Sequence, residues 1–151
     1  MLKRIFLTTA LVLSACSTVE DVALPVTASN DKALEFFNEA VFHVKQGEWQ
    51  EGRDSFQSAL RIDPNFVMAN LWGWTEDPIQ TRKYRETAVS NKDNVSDAER
   101  IRVEMWEAGR DGKSSKKLEL AKELVNKYPQ SSEAYVELGG VYSEQYKLDE
   151  A

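Results

Sequence analysis

Apolar residues recur at helical spacing along most of the chain from residue 31 onward. The first stripe follows the helix-capping residue Asn30 and repeats at i, i+3, i+4 and i+7, which places its side chains on one face of an α-helix. Its members are Ala33, Phe36, Phe37, Ala40, Val41 and Val44. Gly47 ends this stripe, and a second one, Trp49–Leu60, stops shortly before Pro64. The two stripes predict a helical hairpin closed by a tight glycine turn.

The same pairing returns further along the chain. Ser96 and Glu99 form a capping-box signature, which marks the start of a helix. The apolar stripe that follows consists of Ile101, Met105 and Ala108. Gly112 interrupts the pattern, and the next stripe runs over Leu118–Val125 and ends before Pro129. The spacing therefore predicts a second hairpin of two amphipathic helices.

Two stretches of the chain carry the marks of a known helical repeat. Residues 135–142 reproduce the W-x-x-L-G-x-x-Y pattern of the tetratricopeptide repeat, with tyrosine in place of tryptophan. The matching residues are Tyr135, Leu138, Gly139 and Tyr142. Gly52 and Phe56 stand where the repeat has alanine and phenylalanine, and Pro64 stands at its closing proline. The chain thus resembles tetratricopeptide repeat proteins, which implies an all-α fold, a right-handed solenoid of helical hairpins.

The spacing of the prolines predicts one more unit between the two hairpins. Pro64 and Pro129 lie 65 residues apart, close to twice the repeat length of about 34 residues. The intervening unit is degenerate: 66–74 is predicted as its first helix, and 78–90 as its second. The repeat domain is therefore predicted to span 31–151 in about three and a half units.

We expect the repeat domain to be truncated at its C-terminus. Glu150 and Ala151 resemble the beginning of the second helix of a repeat. A stacked array needs a polar cap on its last unit. The natural reading frame is therefore expected to continue beyond Ala151.

The first fifteen residues have the pattern of an export signal. Lys3 and Arg4 precede the apolar run Ile5–Leu13, which is well short of the roughly 20 apolar residues that a membrane-spanning helix requires. Residues 13–16, Leu-Ser-Ala-Cys, resemble the lipobox of bacterial lipoproteins. This resemblance implies cleavage after residue 15 and a lipid on Cys16, the only cysteine of the chain.

Residues 16–30 are predicted to be the lipidated cysteine and a flexible tether, because they show no sustained hydrophobic period. Fully extended, such a tether reaches about 45 Å. Ser17 follows the cysteine where an aspartate favours inner-membrane retention in the lipoprotein family. The resemblance therefore implies a lipid-anchored protein of the cell envelope, at the outer membrane.

Charge and composition narrow the possible functions. Without Lys3 and Arg4 the formal net charge of −6 becomes −8, and basic residues alternate with acidic ones, so we expect no nucleic-acid partner. His43 is the single histidine, which rules out a histidine-rich metal site, and lipidation would consume the only thiol. Glycine-rich phosphate loops are also missing. We therefore expect no enzyme, and no catalytic residue, cofactor or metal.

In the tetratricopeptide repeat family the first helices of successive repeats line a concave groove that receives peptides. Carried onto this chain, the groove candidates are Phe37, Val41, Leu71, Arg102, Trp106, Arg110 and Val136. Tryptophan and arginine contribute strongly to interfaces, which draws attention to Trp106. Phe37 and Trp106 have an alternative interpretation as residues buried between helices.

Together these patterns predict a membrane-anchored scaffold that binds a partner protein or peptide in a groove. The partner's identity does not follow from the sequence. The alternative hypothesis is a docking or regulatory module of a longer enzyme or signalling protein, whose active domain lies beyond residue 151. Further repeats after residue 151 would favour the scaffold, and a domain with its own catalytic residues would favour the alternative.

Overall fold

The computed structural model describes residues 20–149, which form seven α-helices and one short 3-10 turn at Lys92–Asn94, with no strand in that range. The helices are α1 Asp31–Gln46, α2 Trp49–Ile62, α3 Val67–Trp72, α4 Pro78–Asn91, α5 Asp97–Arg110, α6 Ser114–Lys127 and α7 Ser132–Asp149. The predicted all-α class is confirmed. The predicted signal peptide and the lipid site at Cys16 lie outside the described residues.

Consecutive helices pack against each other in pairs. α1 packs on α2, α3 on α4 and α5 on α6, and α7 packs on α6. Gly47 and Gly112 take the left-handed conformation, with φ of 80° and 70°, at the tight turns inside the first and third pairs. Glycine adopts this conformation without steric cost, so turns of two and three residues are enough to reverse the chain.

Small residues set the close approach of α1 and α2. A Cβ atom added at Gly52 would lie 2.8 Å from Cγ2 of Val44 and 3.3 Å from the carbonyl oxygen of Ala40. Ala40 and Ala59 are themselves fully buried. The two helix backbones therefore approach closely where glycine and alanine leave room.

Helix α3 is shorter than its predicted range of 66–74. It ends at Trp72 because Gly73 takes an extended backbone conformation. Nη1 of Arg85, on α4, donates hydrogen bonds of 2.6 Å to the carbonyl oxygens of Asn70 and Gly73. This arginine satisfies carbonyls that the end of a helix leaves unpaired.

Two hydrophobic clusters meet on α5. The first cluster surrounds Phe56 and Phe66 and includes Val103. The second lies between α5, α6 and α7 and includes Ile101 and Leu124. Ile101 and Val103 are two residues apart on α5 and point to different faces, so this helix packs against both clusters.

Residues 20–30, which belong to the predicted tether, pack along the helices. We call residues 21–29 the strap. Leu24 is 4 % exposed and belongs to the second hydrophobic cluster. The backbone N–H of Val22 donates to the carbonyl oxygen of Gln130 at 3.0 Å. Asp21 accepts hydrogen bonds from the N–H and the hydroxyl of Ser132, which hold the pKa of its carboxyl below the usual range.

Two carboxylates of the helical domain fix the other end of the strap. Glu99 is fully buried and accepts hydrogen bonds from the N–H of Thr27 at 3.0 Å and from its hydroxyl at 2.6 Å. Asp63 accepts hydrogen bonds from the N–H and the hydroxyl of Ser29 at 3.0 and 2.6 Å. A buried carboxylate needs such donors, so the strap completes the domain.

Replacing Thr27 with valine is expected to loosen the strap. Thr27→Val removes the hydroxyl donor to Glu99 at nearly constant side-chain volume, at a cost of roughly 1–3 kcal/mol. Amide hydrogen exchange of the strap should accelerate, while exchange in α1 and α2 stays slow. Thr27→Ser keeps the hydroxyl and serves as the control. Unchanged exchange in Thr27→Val would contradict this prediction, because it would mean that the other contacts alone hold the strap on the helices.

Candidate binding groove

Three adjoining cavities form one groove along the surface. All three are lined by Trp72, and they have volumes of about 370, 290 and 330 Å³. We call this surface the Trp72 groove. The residues of the groove discussed below are Val41, Lys45, Leu71, Trp72, Trp74, Arg85, Arg102, Trp106, Lys117, Val136, Glu137 and Glu144.

The groove is built mainly from alternate helices. Its walls come chiefly from α1, α3, α5 and α7, and each of the first three helices is followed by one that folds back beside it. Leu71 and Trp72 at the end of α3 lie in the middle, where the cavities adjoin. The pairing of helices therefore brings residues that are far apart in sequence onto one surface.

The structure places most of the predicted groove residues in this groove. Val41 of α1, Trp106 of α5 and Val136 of α7 line it, and Val136 is 73 % exposed. Leu71 and Arg102 also line it, although both are largely buried, so they contribute to its floor. The sequence pattern thus selected residues that come together from four different helices.

Phe37 is the exception among the predicted residues of α1, since it lines none of the three cavities. It is 3 % exposed and lies in the first hydrophobic cluster. Its ring centroid is 5.0 Å from that of Phe66 and 5.8 Å from those of Phe56 and Trp72. Phe37 is therefore a core residue, as the alternative interpretation predicted. The Trp72 ring lies between it and the groove.

Arg110 lies beside the groove rather than in it. It is half-exposed and lines none of the three cavities. Its guanidinium is 5.1 Å from the ring centroid of Trp106 and 2.9 Å from the carboxylate of Asp111. Arg110 therefore lies over the face of the Trp106 ring.

A charged network lies in the centre of the groove. Nε of Arg102 donates to Glu137 at 2.5 Å, and its Nη2 lies 3.5 Å from Glu133. The same guanidinium is 4.9 Å from the ring centroid of Trp72. Burial raises the pKa of Glu137, an effect that the positive charge of Arg102 opposes. This network ties α5 to α7 and holds the Trp72 ring in place.

Sequence reasoning missed Trp72 and the network around it. The repeat pattern pointed to the neighbouring residue, Leu71, but α3 ends at Trp72, so the repeat register does not extend through this unit. One signal was present, namely two tryptophans, Trp72 and Trp74, within the degenerate unit. The role of Glu137 depends on its contact with Arg102. The two residues are 35 positions apart, so no local sequence pattern indicates that they meet.

A further cavity lies apart from the groove, between α2 and α4. It has a volume of about 430 Å³ and shares no lining residue with the three cavities of the groove. About half of its wall surface is polar, and its lining includes Gln57, Arg61 and Lys83. Binding sites are mostly apolar with a few placed polar groups, a description that the Trp72 groove fits better.

No family model matches this chain, and no curated protein or solved structure matches it either. In the part of the chain that the structure describes, no helix has the length and apolarity needed to cross a membrane. The same residues contain no group of three or more histidine, cysteine or acidic side chains placed to share a metal ion. What the protein binds is therefore inferred from the groove itself.

Proposed function

We propose that this protein is a membrane-anchored scaffold of the bacterial cell envelope that binds a segment of a partner protein in the Trp72 groove. The groove carries this proposal. It is open along its length, and its apolar walls hold aromatic side chains next to arginines. Such residues contribute most of the binding energy in protein interfaces. A groove of this kind suits an extended or helical peptide.

We further propose that the helical pairs are tetratricopeptide-like units of a right-handed solenoid. The succession of pairs supports this proposal, as does the groove built on alternate helices. The repeat pattern at residues 135–142 and the close approach at Gly52 agree with it. The anchor would be a lipid on Cys16, which is supported by the lipobox-like residues 13–16 and the export signal before them.

A binding role is preferred over catalysis because the described residues that line the groove form no arrangement for proton transfer. His43, the only histidine of the chain, lines none of the three cavities, and its Nδ1 lies 2.6 Å from Glu48. Glu137, whose pKa burial raises, is bound to Arg102. Both groups are therefore explained by structural contacts.

The test is in-cell crosslinking of the tagged full-length protein, followed by mass spectrometry of the captured proteins. A variant with Trp106→Ala and Val136→Ala removes apolar surface from the groove. We expect it to lower the recovery of a specific envelope protein about tenfold. The matched control is Phe42→Ala with Ile79→Ala, which truncates two exposed residues that line none of the three cavities.

Recovery that falls in the groove variant and not in the control would support the scaffold. Equal recovery in both variants would contradict binding in the groove. The cell fraction that contains the protein tests the anchor separately, because Cys16→Ser should release the protein from the membrane fraction. Retention of Cys16→Ser in that fraction would contradict the lipid anchor.

A further inference from the structure

One end of the Trp72 groove is positively charged and has no acidic residue in its lining. This end is the cavity of about 370 Å³ between α1, α3 and α4. Its apolar wall consists of Val41, Val44, Phe56, Leu71, Trp72 and Trp74. Lys45 and Arg85 are its only charged lining residues. The rest of the groove differs, because there Arg102 is paired with Glu137, and Lys117 with Glu144.

Arg85 has unused hydrogen-bond donors at this cavity. Its Nη1 is held by the carbonyl oxygens of Asn70 and Gly73, which fixes the guanidinium in place. Within residues 20–149, its Nε and Nη2 make no hydrogen bond, and no carboxylate lies within ion-pair distance of it. Burial lowers the pKa of Arg85, yet an arginine keeps its charge in a protein. A fixed guanidinium whose Nε and Nη2 donors are free is well suited to receive a carboxylate.

Lys45 adds a second positive charge at the rim. Its side chain is 65 % exposed, and its ammonium lies 3.8 Å from Glu133, near the limit of an ion pair. Such an exposed contact contributes little, so Lys45 can turn toward a bound anion at small cost. The two cations therefore line one cavity together with its apolar side chains.

We propose that this cavity recognises an aspartate or glutamate of the partner peptide together with an aliphatic or aromatic side chain next to it. The carboxylate binds Nε and Nη2 of Arg85, and the apolar side chain packs on Trp72 and Trp74. This proposal rests on the proposed function of the groove, and it adds the chemistry of the residues that the groove selects. The cavity volume falls within the range of specific ligand sites.

The overall charge of the chain indicates a single carboxylate rather than an acidic run. The formal net charge is −6, so a strongly acidic partner, or a second copy of this chain, would be repelled by most of the surface. One carboxylate between apolar side chains gains the local attraction of Arg85 and avoids most of that repulsion. A mixed apolar and acidic segment is therefore the occupant that the charges favour.

The test is selection of short random peptides displayed on phage, with the full chain in detergent as the target. We expect the selected peptides to share an aspartate or glutamate beside an aliphatic or aromatic residue. Arg85→Gln should lower their affinity about tenfold or more. Changing the peptide's acidic residue to its amide should lower the affinity for the native protein by the same factor. It should not lower the affinity for Arg85→Gln any further. Arg82→Gln, an exposed arginine on the same helix, is the matched control.

A second variant is needed because Arg85 also stabilises the end of α3, so Arg85→Gln could weaken binding by disturbing the fold. Lys45→Glu leaves Arg85 and its hydrogen bonds in place and should also lower the affinity about tenfold. Peptides without an acidic preference, bound equally by all variants, would overturn the carboxylate site and leave the groove as a binding surface. A library with no enriched peptide would overturn both proposals.

Two other occupants are outcomes of the same test. Displacement of the selected peptide by decanoate, an apolar carboxylic acid, would assign the site to a small molecule. It would overturn the proposal that the site binds a peptide. A concentration-dependent dimer that Lys45→Glu abolishes would assign it to a second copy of the chain and overturn the proposal as well.

Discussion

Truncating Phe37 to alanine is expected to lower the free energy of unfolding by about 3–5 kcal/mol. The Phe37 ring is almost fully buried and contacts the rings of Phe56, Phe66 and Trp72. Its removal leaves a cavity where α1, α2 and α3 meet, and the surrounding rings can fill that cavity only in part. Urea denaturation followed by far-UV circular dichroism measures the loss.

Phe42→Ala is the matched control for this prediction. Phe42 lies on the same helix but is 59 % exposed, so its truncation should change the free energy of unfolding by no more than about 0.5 kcal/mol. A Phe37→Ala protein of unchanged stability that no longer captures its partner would contradict the core position. In that case the position expected from the repeat pattern would be correct after all.

Replacing Arg102 with methionine is expected to cost about 3–5 kcal/mol near neutral pH. The substitution keeps much of the side-chain volume but removes the positive charge that Glu137 contacts. Glu137 is then left as a largely buried carboxylate without a partner, and the cost of its desolvation is not offset. Urea denaturation is again the measurement, and Arg110→Met, half-exposed on the same helix, is the control.

The pH dependence of Arg102→Met identifies Glu137 as the cause. Burial raises the pKa of Glu137 above its ordinary value of 4.5, and loss of Arg102 raises it further. Between the ordinary value and the raised value, the folded protein binds more protons than the unfolded chain. The stability of the variant should therefore rise as the pH falls from neutrality toward 4.5.

A second change separates this explanation from simple loss of packing. Adding Glu137→Leu to Arg102→Met removes the unpaired carboxylate, so the double variant should recover most of the lost stability near neutral pH. Equal instability of the single and double variants would contradict the unpaired-charge explanation. It would mean instead that the contact between Arg102 and Trp72 carries most of the energy.

The helices could be predicted from the sequence because local signals determine their ends. The side chain of Asn30 caps α1, and Ser96 with Glu99 forms the predicted capping box of α5. Gly47 and Gly112 have positive φ at the turns where the periodic pattern stops. Each of these signals acts within one turn of helix, so a single sequence contains it.

The strap and the centre of the groove could not be predicted in the same way. An extended segment has no helical period, and the contact of Thr27 with Glu99 joins residues 72 positions apart. Trp72 reaches the groove at the point where α3 ends, and Glu137 of α7 reaches it through its contact with Arg102 of α5. The partners of such residues depend on tertiary packing, which local pattern does not contain.

The strap changes the distance over which the domain can move if Cys16 carries a lipid. Asp21 contacts Ser132 at the start of α7, and Val22 contacts Gln130 in the loop between α6 and α7. Only the residues between Cys16 and Asp21 then separate the lipid from the domain, so the greatest reach falls from about 45 Å to less than about 20 Å. A short linker between the lipid and the domain raises the effective concentration of the groove for a partner that is fixed in the same membrane. It also favours partners whose binding segment lies near the lipid surface over those that extend far from it.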